Sequence, residues 1–72
     1  MMLCEGDACQ WVELEWDGDR REYRFRNTGC RAVRVALKSL AGWTRFTLDP
    51  GEVKLVGVVG FDYPYSANFA DS

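Results

Sequence analysis

Apolar and polar residues alternate with a period of two along most of this 72-residue sequence, and no stretch keeps a 3.6-residue apolar period for three turns. The first alternating run covers residues 11–16, with Val12, Leu14 and Trp16 on one face. Turn-forming Asp, Asn, Gly and Pro residues separate the runs from one another. The pattern predicts five strands, at residues 11–16, 20–26, 31–38, 43–48 and 53–59.

Strand pairing follows from the need to keep apolar faces together, because a one-residue slip moves every side chain to the other face. The favoured pairs are Leu14–Tyr23, Val12–Phe25 and Glu13–Arg24 in a first hairpin, Val35–Phe46 and Val33–Leu48 in a second, and Leu48–Val53 and Phe46–Leu55 in a third. Pairing Phe25 with Val33 would set Arg24 opposite Arg34, so this connection is expected to cross between two sheets. The predicted fold is all-β, a small antiparallel β-sandwich or open barrel of five to six strands.

The last predicted strand is apolar on both faces over residues 55–59, which is typical of a central strand covered on both sides. The third hairpin would place Trp43 beside Val58 and Arg45 beside Val56. These four residues are therefore candidates for a binding surface wherever the chain itself does not cover them.

The C-terminal segment, residues 61–72, is the expected cover in a single domain spanning residues 1–72. Pro64 restricts this segment to an edge strand or a wrapping segment. Two interpretations stay open for its aromatic residues. In the first, the core of the domain is completed by Tyr63, Tyr65 and Phe69. In the second, an exposed surface for a sugar face or a protein partner is formed by Trp43, Tyr63 and Tyr65.

Charge is segregated along the chain, although the net charge is only −2. Residues 1–19 carry six acidic side chains and no basic ones, whereas residues 20–38 carry seven basic ones against Glu22 alone. Cross-strand pairing between the acidic first strand and the basic second strand is the favoured explanation. Arg24 and Arg34 are also candidates for contact with an acidic protein partner. Nucleic acid is less favoured, because a pI near 4.9 opposes binding through counterion release.

The three cysteines, Cys4, Cys9 and Cys30, form an odd set. No signal peptide is visible at the start, so a cytoplasmic location with reduced thiols is expected; a secreted domain whose signal peptide has been removed is the alternative. In an oxidising compartment a disulfide between Cys4 and Cys9, or from either to Cys30, would staple the domain. A zinc site would need an Asp or Glu as fourth ligand and is least favoured. The longest apolar run, residues 55–61, is too short to cross a membrane.

Enzymatic chemistry is not expected from this composition. The chain has no histidine, which removes the Ser–His and Cys–His arrangements of nucleophilic catalysis. The paired carboxylates Asp17 and Asp19, and likewise Asp49 and Glu52, occupy turns, where such residues are ordinary. We therefore expect no catalytic residues, no cofactor and no bound metal ion.

Several strand and turn residues in the middle of the chain match the sequence pattern of a known domain family. These residues are Asn27, Cys30, Val33, Val35, Ala36, Leu37, Trp43, Leu48, Asp49, Pro50, Gly51 and Glu52. Through them, residues 27–52 resemble a bacterial β-sandwich domain family of uncharacterised function. The sequence departs from that family at Val53, where a cysteine is usual, and it lacks a Gly-Trp-Trp run before the turn. The resemblance implies the fold and no activity.

Together these features predict a small non-enzymatic protein-interaction module, of a size that suits an inhibitor or an immunity-type protein. The alternative is a secreted carbohydrate-binding domain whose stacking platforms would be Trp11, Trp43, Tyr63 or Tyr65. Self-association through the edge of the last strand is a third possibility. The candidate binding residues are Trp43, Arg45, Val56, Val58, Tyr63, Tyr65, Arg24 and Arg34.

Overall fold

A computed structural model of the protein describes residues 3–39, 42–57 and 64–70. The strands in these residues are β1 (Cys4–Glu5), β2 (Val12–Asp17), β3 (Glu22–Asn27), β4 (Val33–Ser39), β5 (Gly42–Leu48), β6 (Val53–Gly57) and β7 (Tyr65–Phe69). They form a four-stranded sheet of order β1-β7-β4-β5 and a three-stranded sheet of order β2-β3-β6. No helix in the described residues is long and apolar enough to cross a membrane.

The all-β fold class is confirmed, and the two sheets are not closed into a barrel. All pairings are antiparallel except that of the short β1, which runs parallel to β7. The predicted crossing between the second and third alternating runs is also confirmed, because β3 and β4 belong to different sheets. Like charges on the outer faces of these two strands are thereby kept apart.

The two hairpins differ in how well the alternation predicted their register. Val35 lies opposite Phe46 in the β4–β5 pair, as predicted. In the β2–β3 pair the predicted register is wrong by two residues, since Leu14 lies opposite Phe25 instead of Tyr23. A slip of two keeps every side chain on its face, so alternation alone does not detect it. The turn decides instead: the carboxylate of Asp17 accepts hydrogen bonds from the backbone N–H groups of the two residues that follow Gly18.

The third predicted hairpin is wrong, because β6 pairs with β3 and not with β5. Val56 lies opposite Tyr23, and Arg45 is therefore not beside Val56. The turn at residues 49–52 is a corner that carries the chain from one sheet to the other. Asn27 holds this corner through two backbone hydrogen bonds, accepting from Gly51 N–H at 2.9 Å and donating to the oxygen of Glu52 at 3.1 Å.

The prediction that β6 is a central strand covered on both faces is also wrong. Among the described residues β6 has one neighbour, β3, and lies at the end of its sheet. Val56 is buried, but Leu55 is 53% exposed and Val53 is similarly open to solvent. The outer face of β6 is therefore an exposed apolar face. Val58 and the rest of the predicted strand lie outside the described residues.

The C-terminal strand β7 lies between β1 and β4 instead of at an edge. Pro64 precedes the strand and so removes no hydrogen bond from the ladder. Tyr65 is buried, which agrees with the interpretation that aromatic residues of this segment complete the core, whereas Tyr63 lies outside the described residues. On its β1 side, β7 is covered by backbone hydrogen bonds from Ala8 N–H to Ala67 and from Tyr65 N–H to Leu3.

A Cys4–Cys9 disulfide closes the segment that covers β7, with the two Cα atoms 5.9 Å apart. This is one of the pairings that the sequence left open, and it replaces the reduced thiols expected for a cytoplasmic chain. Cys30 is a free and exposed thiol. Between the sheets, the ring of Phe25 contacts the rings of Phe46 and Tyr65 edge-to-face, with centroids 5.4 and 5.6 Å apart. The core thus joins residues of both sheets.

Candidate functional site

The outer face of the four-stranded sheet brings together residues from three strands. Because Val33, Val35 and Leu37 of β4 are buried, the alternate residues of this strand point outward. The register then places Lys38 opposite Trp43, which begins the exposed row of β5. The outward residues are Arg34, Ala36 and Lys38 on β4, Trp43, Arg45 and Thr47 on β5, and Ser66 and Asn68 on β7.

Trp43 is the large apolar residue of this face and is 56% exposed. Two cations approach its ring: the Lys38 Nζ lies 5.9 Å and the Arg45 Cζ 5.4 Å from the ring centroid. Both distances fall within the range of cation–π attraction. The contacts hold the two long side chains beside the indole, so that an apolar surface and two positive charges are presented together.

The positive charges of this face have no carboxylate within ion-pair distance among the described residues. The ion pair found there, between Arg24 and Glu15, belongs to the other sheet. Two acidic residues lie near this face. Glu5 on β1 is in register with Ser66 and hence with Ala36. The backbone N–H of Asp7 donates to the Oδ1 of Asn68, which lies opposite Arg34. Two strand spacings, about 10 Å, separate the backbones of Glu5 and Ala36. The face therefore keeps a local positive charge on a protein of net charge −2.

Ala36 forms the floor of this arrangement. It is half-buried and lies between Arg45 on one neighbouring strand and Ser66 on the other. Arg34 and Lys38 flank it along β4, about 13 Å apart at a rise of about 3.3 Å per residue. A carboxylate bound above Ala36 would therefore have Arg34, Lys38 and Arg45 around it on three sides. Guanidinium groups are suited to forked hydrogen bonds with carboxylates.

The three-stranded sheet shows a different pattern on its outer face. Arg24 forms an ion pair with Glu15, and Glu13 lies opposite Arg26 in the same ladder. The expectation that the acidic first strand neutralises the basic second one is therefore met for Arg24. On the neighbouring strand β6, Leu55 lies opposite Arg24 and adds exposed apolar surface to the same outer face. Arg24 is thus on the opposite sheet from the other candidate arginines.

A shallow open groove of about 490 Å³ runs beside the β2–β3 turn. Trp16, Arg20, Glu22 and Leu55 are among the residues that line it. The Trp16 side chain is 44% exposed, and its ring packs on that of Tyr23 with centroids 4.6 Å apart. The sequence placed Trp16 on the buried face without marking it as a site residue. Its position near the end of β2, one residue before the last residue of the strand, is the signal that could have found it.

The predicted site residues divide between the two sheets and the core. Arg34, Trp43 and Arg45 share one outer face, and Lys38 joins them although the sequence did not single it out. Val56 and Tyr65 are buried, so an exposed aromatic surface that includes Tyr65 is wrong. Burial also raises the pKa of the Tyr65 hydroxyl above its ordinary value of 10.0. Val58 and Tyr63 lie outside the described residues.

Trp11, a platform of the carbohydrate alternative, is half-buried. Its ring contacts that of Phe69 edge-to-face at 4.8 Å. Among the described residues, no three His, Cys, Asp or Glu side chains come together as a metal site.

No protein-family model, curated protein or solved structure matches this chain. The resemblance of residues 27–52 to a bacterial β-sandwich family stays a prediction.

Proposed function

We propose that the protein is a small non-enzymatic interaction module that binds an acidic protein partner through the outer face of its four-stranded sheet. The observation that carries the proposal is the arrangement around Trp43, an exposed indole held between Lys38 and Arg45. Arg34 adds a third cation to the same face. Trp and Arg are the residues most enriched among those that dominate binding energy in protein interfaces.

The charge distribution supports an acidic partner over a basic one. Arg34, Lys38 and Arg45 share this face, whereas Arg24 of the other sheet is paired with Glu15, so an acidic partner is attracted to this face. This distribution of charge contributes to the affinity of the complex and also determines the orientation in which the partner binds. Burial of the exposed part of Trp43, about 140 Å², would supply roughly 3.5 kcal/mol at ~25 cal/mol per Å².

The Cys4–Cys9 disulfide bears on where this module acts. Disulfides persist in oxidising compartments and are rare in the cytoplasm. The disulfide supports an extracytoplasmic location over the cytoplasmic one expected from the sequence.

The test compares two triple charge reversals of equal net charge. R34E/K38E/R45E alters the proposed face, and R20E/R26E/K54E alters exposed cations of the other sheet and its turn. Proteins captured from native cells by the wild type are identified by mass spectrometry, and the affinity of the purified partner is then measured. We expect an acidic partner that the control variant keeps and the face variant loses. A partner that the face variant binds as well as the wild type contradicts the proposal.

Saccharide binding is the second candidate, and the groove beside Trp16 favours it. A partly exposed indole next to charged hydrogen-bonding groups such as Arg20 and Glu22 is suited to a sugar ring. Oligosaccharide titration of the wild type should then change tryptophan fluorescence, and W43F should retain the change while W16F loses it. No response across a panel of glycans would contradict this candidate.

A further inference from the structure

Among the described residues, β5 lies at the end of the four-stranded sheet, and the side of the strand directed away from β4 has no neighbouring strand. It pairs with β4 over all seven of its residues, from Gly42 to Leu48, without a break in the ladder. No second strand pairs with it in the part of the chain that the structure describes. Its backbone groups directed away from β4 form a regular template for another strand.

The edge of β5 is less protected than the other two long edges of the described sheets. Natural edges are blocked by charges, proline, bulges or shortness. Acidic side chains occupy three of the six positions of β2, and β6 is shorter, with Lys54 at its second position. β5 has none of the other devices, and Arg45 is its sole charged residue.

The charge of this edge selects among possible occupants. Antiparallel pairing of β5 with β5 of a second copy would join two basic faces, each with Arg45 and Lys38, and is disfavoured. An incoming strand would lie about 4.8 Å from β5, with its outward side chains directly beside Trp43, Arg45 and Thr47. Acidic side chains at these positions would lie beside Arg45. They would also be attracted to Lys38, which lies one strand further away, on β4.

We infer that the occupant is a partner segment with acidic residues at alternate positions, which adds to the sheet as a strand along β5. The inference rests on the proposed function, and it specifies how the acidic partner is bound. Alternation is required because every second residue of a strand points to the same face. The intervening residues would lie beside Thr44 and Phe46 at the rim of the core, where small or β-branched side chains fit.

The test uses three synthetic peptides of eight residues. One alternates Thr and Glu, the second has four Thr followed by four Glu, and the third alternates Thr and Lys. We expect the alternating acidic peptide to bind about threefold more tightly than the block peptide, since it sets a Glu beside Arg45 in every register that points its Glu side chains outward, whereas the block peptide does so in only some of them. The lysine peptide should not bind. R45E should abolish binding of the acidic peptide, whereas R26E on the other sheet should not.

Strand addition has a second readout that charge alone would not produce. Alternate β5 amides, those directed away from β4, should become protected from hydrogen exchange when the alternating peptide is bound. N-methylation of one alternate set of peptide amides should abolish binding, and N-methylation of the other set should not.

The outcomes separate this inference from the proposal on which it rests. If both acidic peptides bind equally, lose binding in R45E and protect no β5 amide, strand addition is overturned. The proposal that this face binds an acidic partner then still stands. No face-dependent binding of either acidic peptide overturns both. Sedimentation tests whether the protein associates with itself at micromolar concentration. Self-association that is lost in the β2 variant E13R/E15R would mean that β2 of a second copy pairs with β5, and it would overturn the inference of a strand from a different protein.

Discussion

The side-chain nitrogen of Asn27 donates a hydrogen bond to the backbone oxygen of Leu48 at 3.0 Å. The bond joins the last residue of β3 to the last residue of β5 and so links the two sheets. The same nitrogen donates to the oxygen of Arg31 at 2.7 Å, and the Asn27 Oδ1 accepts from Gly29 N–H at 2.9 Å. Asn27 is fully buried, and each of its side-chain polar atoms has a partner.

Replacement of Asn27 by Ala should destabilise the protein by roughly 2–4 kcal/mol. The change removes this donor from the buried oxygen of Leu48 and from the partly buried oxygen of Arg31, and a buried oxygen is costly to leave unpaired. Urea unfolding followed by tryptophan fluorescence measures the loss. Asn68→Ala is the matched control, because Asn68 is exposed and should cost less than about 1 kcal/mol. Equal losses in the two variants would refute the linking role of Asn27.

Gly29 gives a second prediction, since the ring of Trp11 lies directly on it. A Cβ atom at this position would be 1.9 Å from the Cε3 atom of Trp11. Gly29→Ala must therefore displace the indole from Phe69, at a cost of about 1–3 kcal/mol in unfolding free energy. Gly57→Ala is the control, because a methyl group there would meet no atom within 4 Å beyond its chain neighbours, and little change is expected. A stable Gly29→Ala variant would show that the indole is not held there.

The Cys4–Cys9 disulfide should stabilise the protein by about 2 kcal/mol, the chain-entropy value for so short a loop. The double variant C4S/C9S should lower the unfolding free energy by this amount. It should also increase hydrogen exchange at the amides of Ala8 and Tyr65, which bond to Ala67 and Leu3. C30S, which removes the exposed free thiol, should change neither quantity. Unchanged exchange in C4S/C9S would contradict a role of the disulfide in covering β7.

The sequence predicts which strands pair in the two local hairpins, although the β2–β3 register is wrong by two residues, and it fails for the non-local pairing of β6 with β3. The β4–β5 register follows from alternation and a short connection, both of which are local. The corner at Pro50 and Gly51 has the residues of an ordinary hairpin turn, and its crossing between sheets depends on non-local contacts, namely its hydrogen bonds to Asn27 and the pairing of β6 with β3. The sequence therefore predicts Leu55 in the centre of a sheet, whereas β6 lies at the end of its sheet.

The candidate site shows the same division between local and non-local information. Alternation puts Trp43 and Arg45 on one face of β5, and the correct β4–β5 register adds Arg34. Val56, the neighbour predicted for Arg45, is wrong because it depended on the third hairpin, and Val58, the neighbour predicted for Trp43, lies outside the described residues. Lys38 was missed because its importance comes from its position opposite Trp43 and not from its own run.

Burial of Tyr65 predicts a loss of stability in alkaline solution. Its raised pKa means that the folded state favours the neutral hydroxyl, while the unfolded chain ionises near pH 10.0. The stabilisation is therefore complete below pH 10 and is lost as the pH rises through the higher pKa of the folded state. Unfolding free energies of the wild type and Y65F, measured between pH 8 and 11, should fall more steeply for the wild type. Parallel profiles would contradict the prediction.

Trp43 should matter for binding far more than for folding. Its side chain is more than half exposed, so W43A should lower the unfolding free energy by less than about 1 kcal/mol. In complex with an acidic partner the same change should weaken affinity at least about tenfold, because it removes the apolar contact and the group that holds Lys38 and Arg45. L55A is the matched control, since Leu55 is similarly exposed on the opposite sheet and should leave this affinity unchanged. If L55A weakens binding and W43A does not, the docking face is that of the three-stranded sheet.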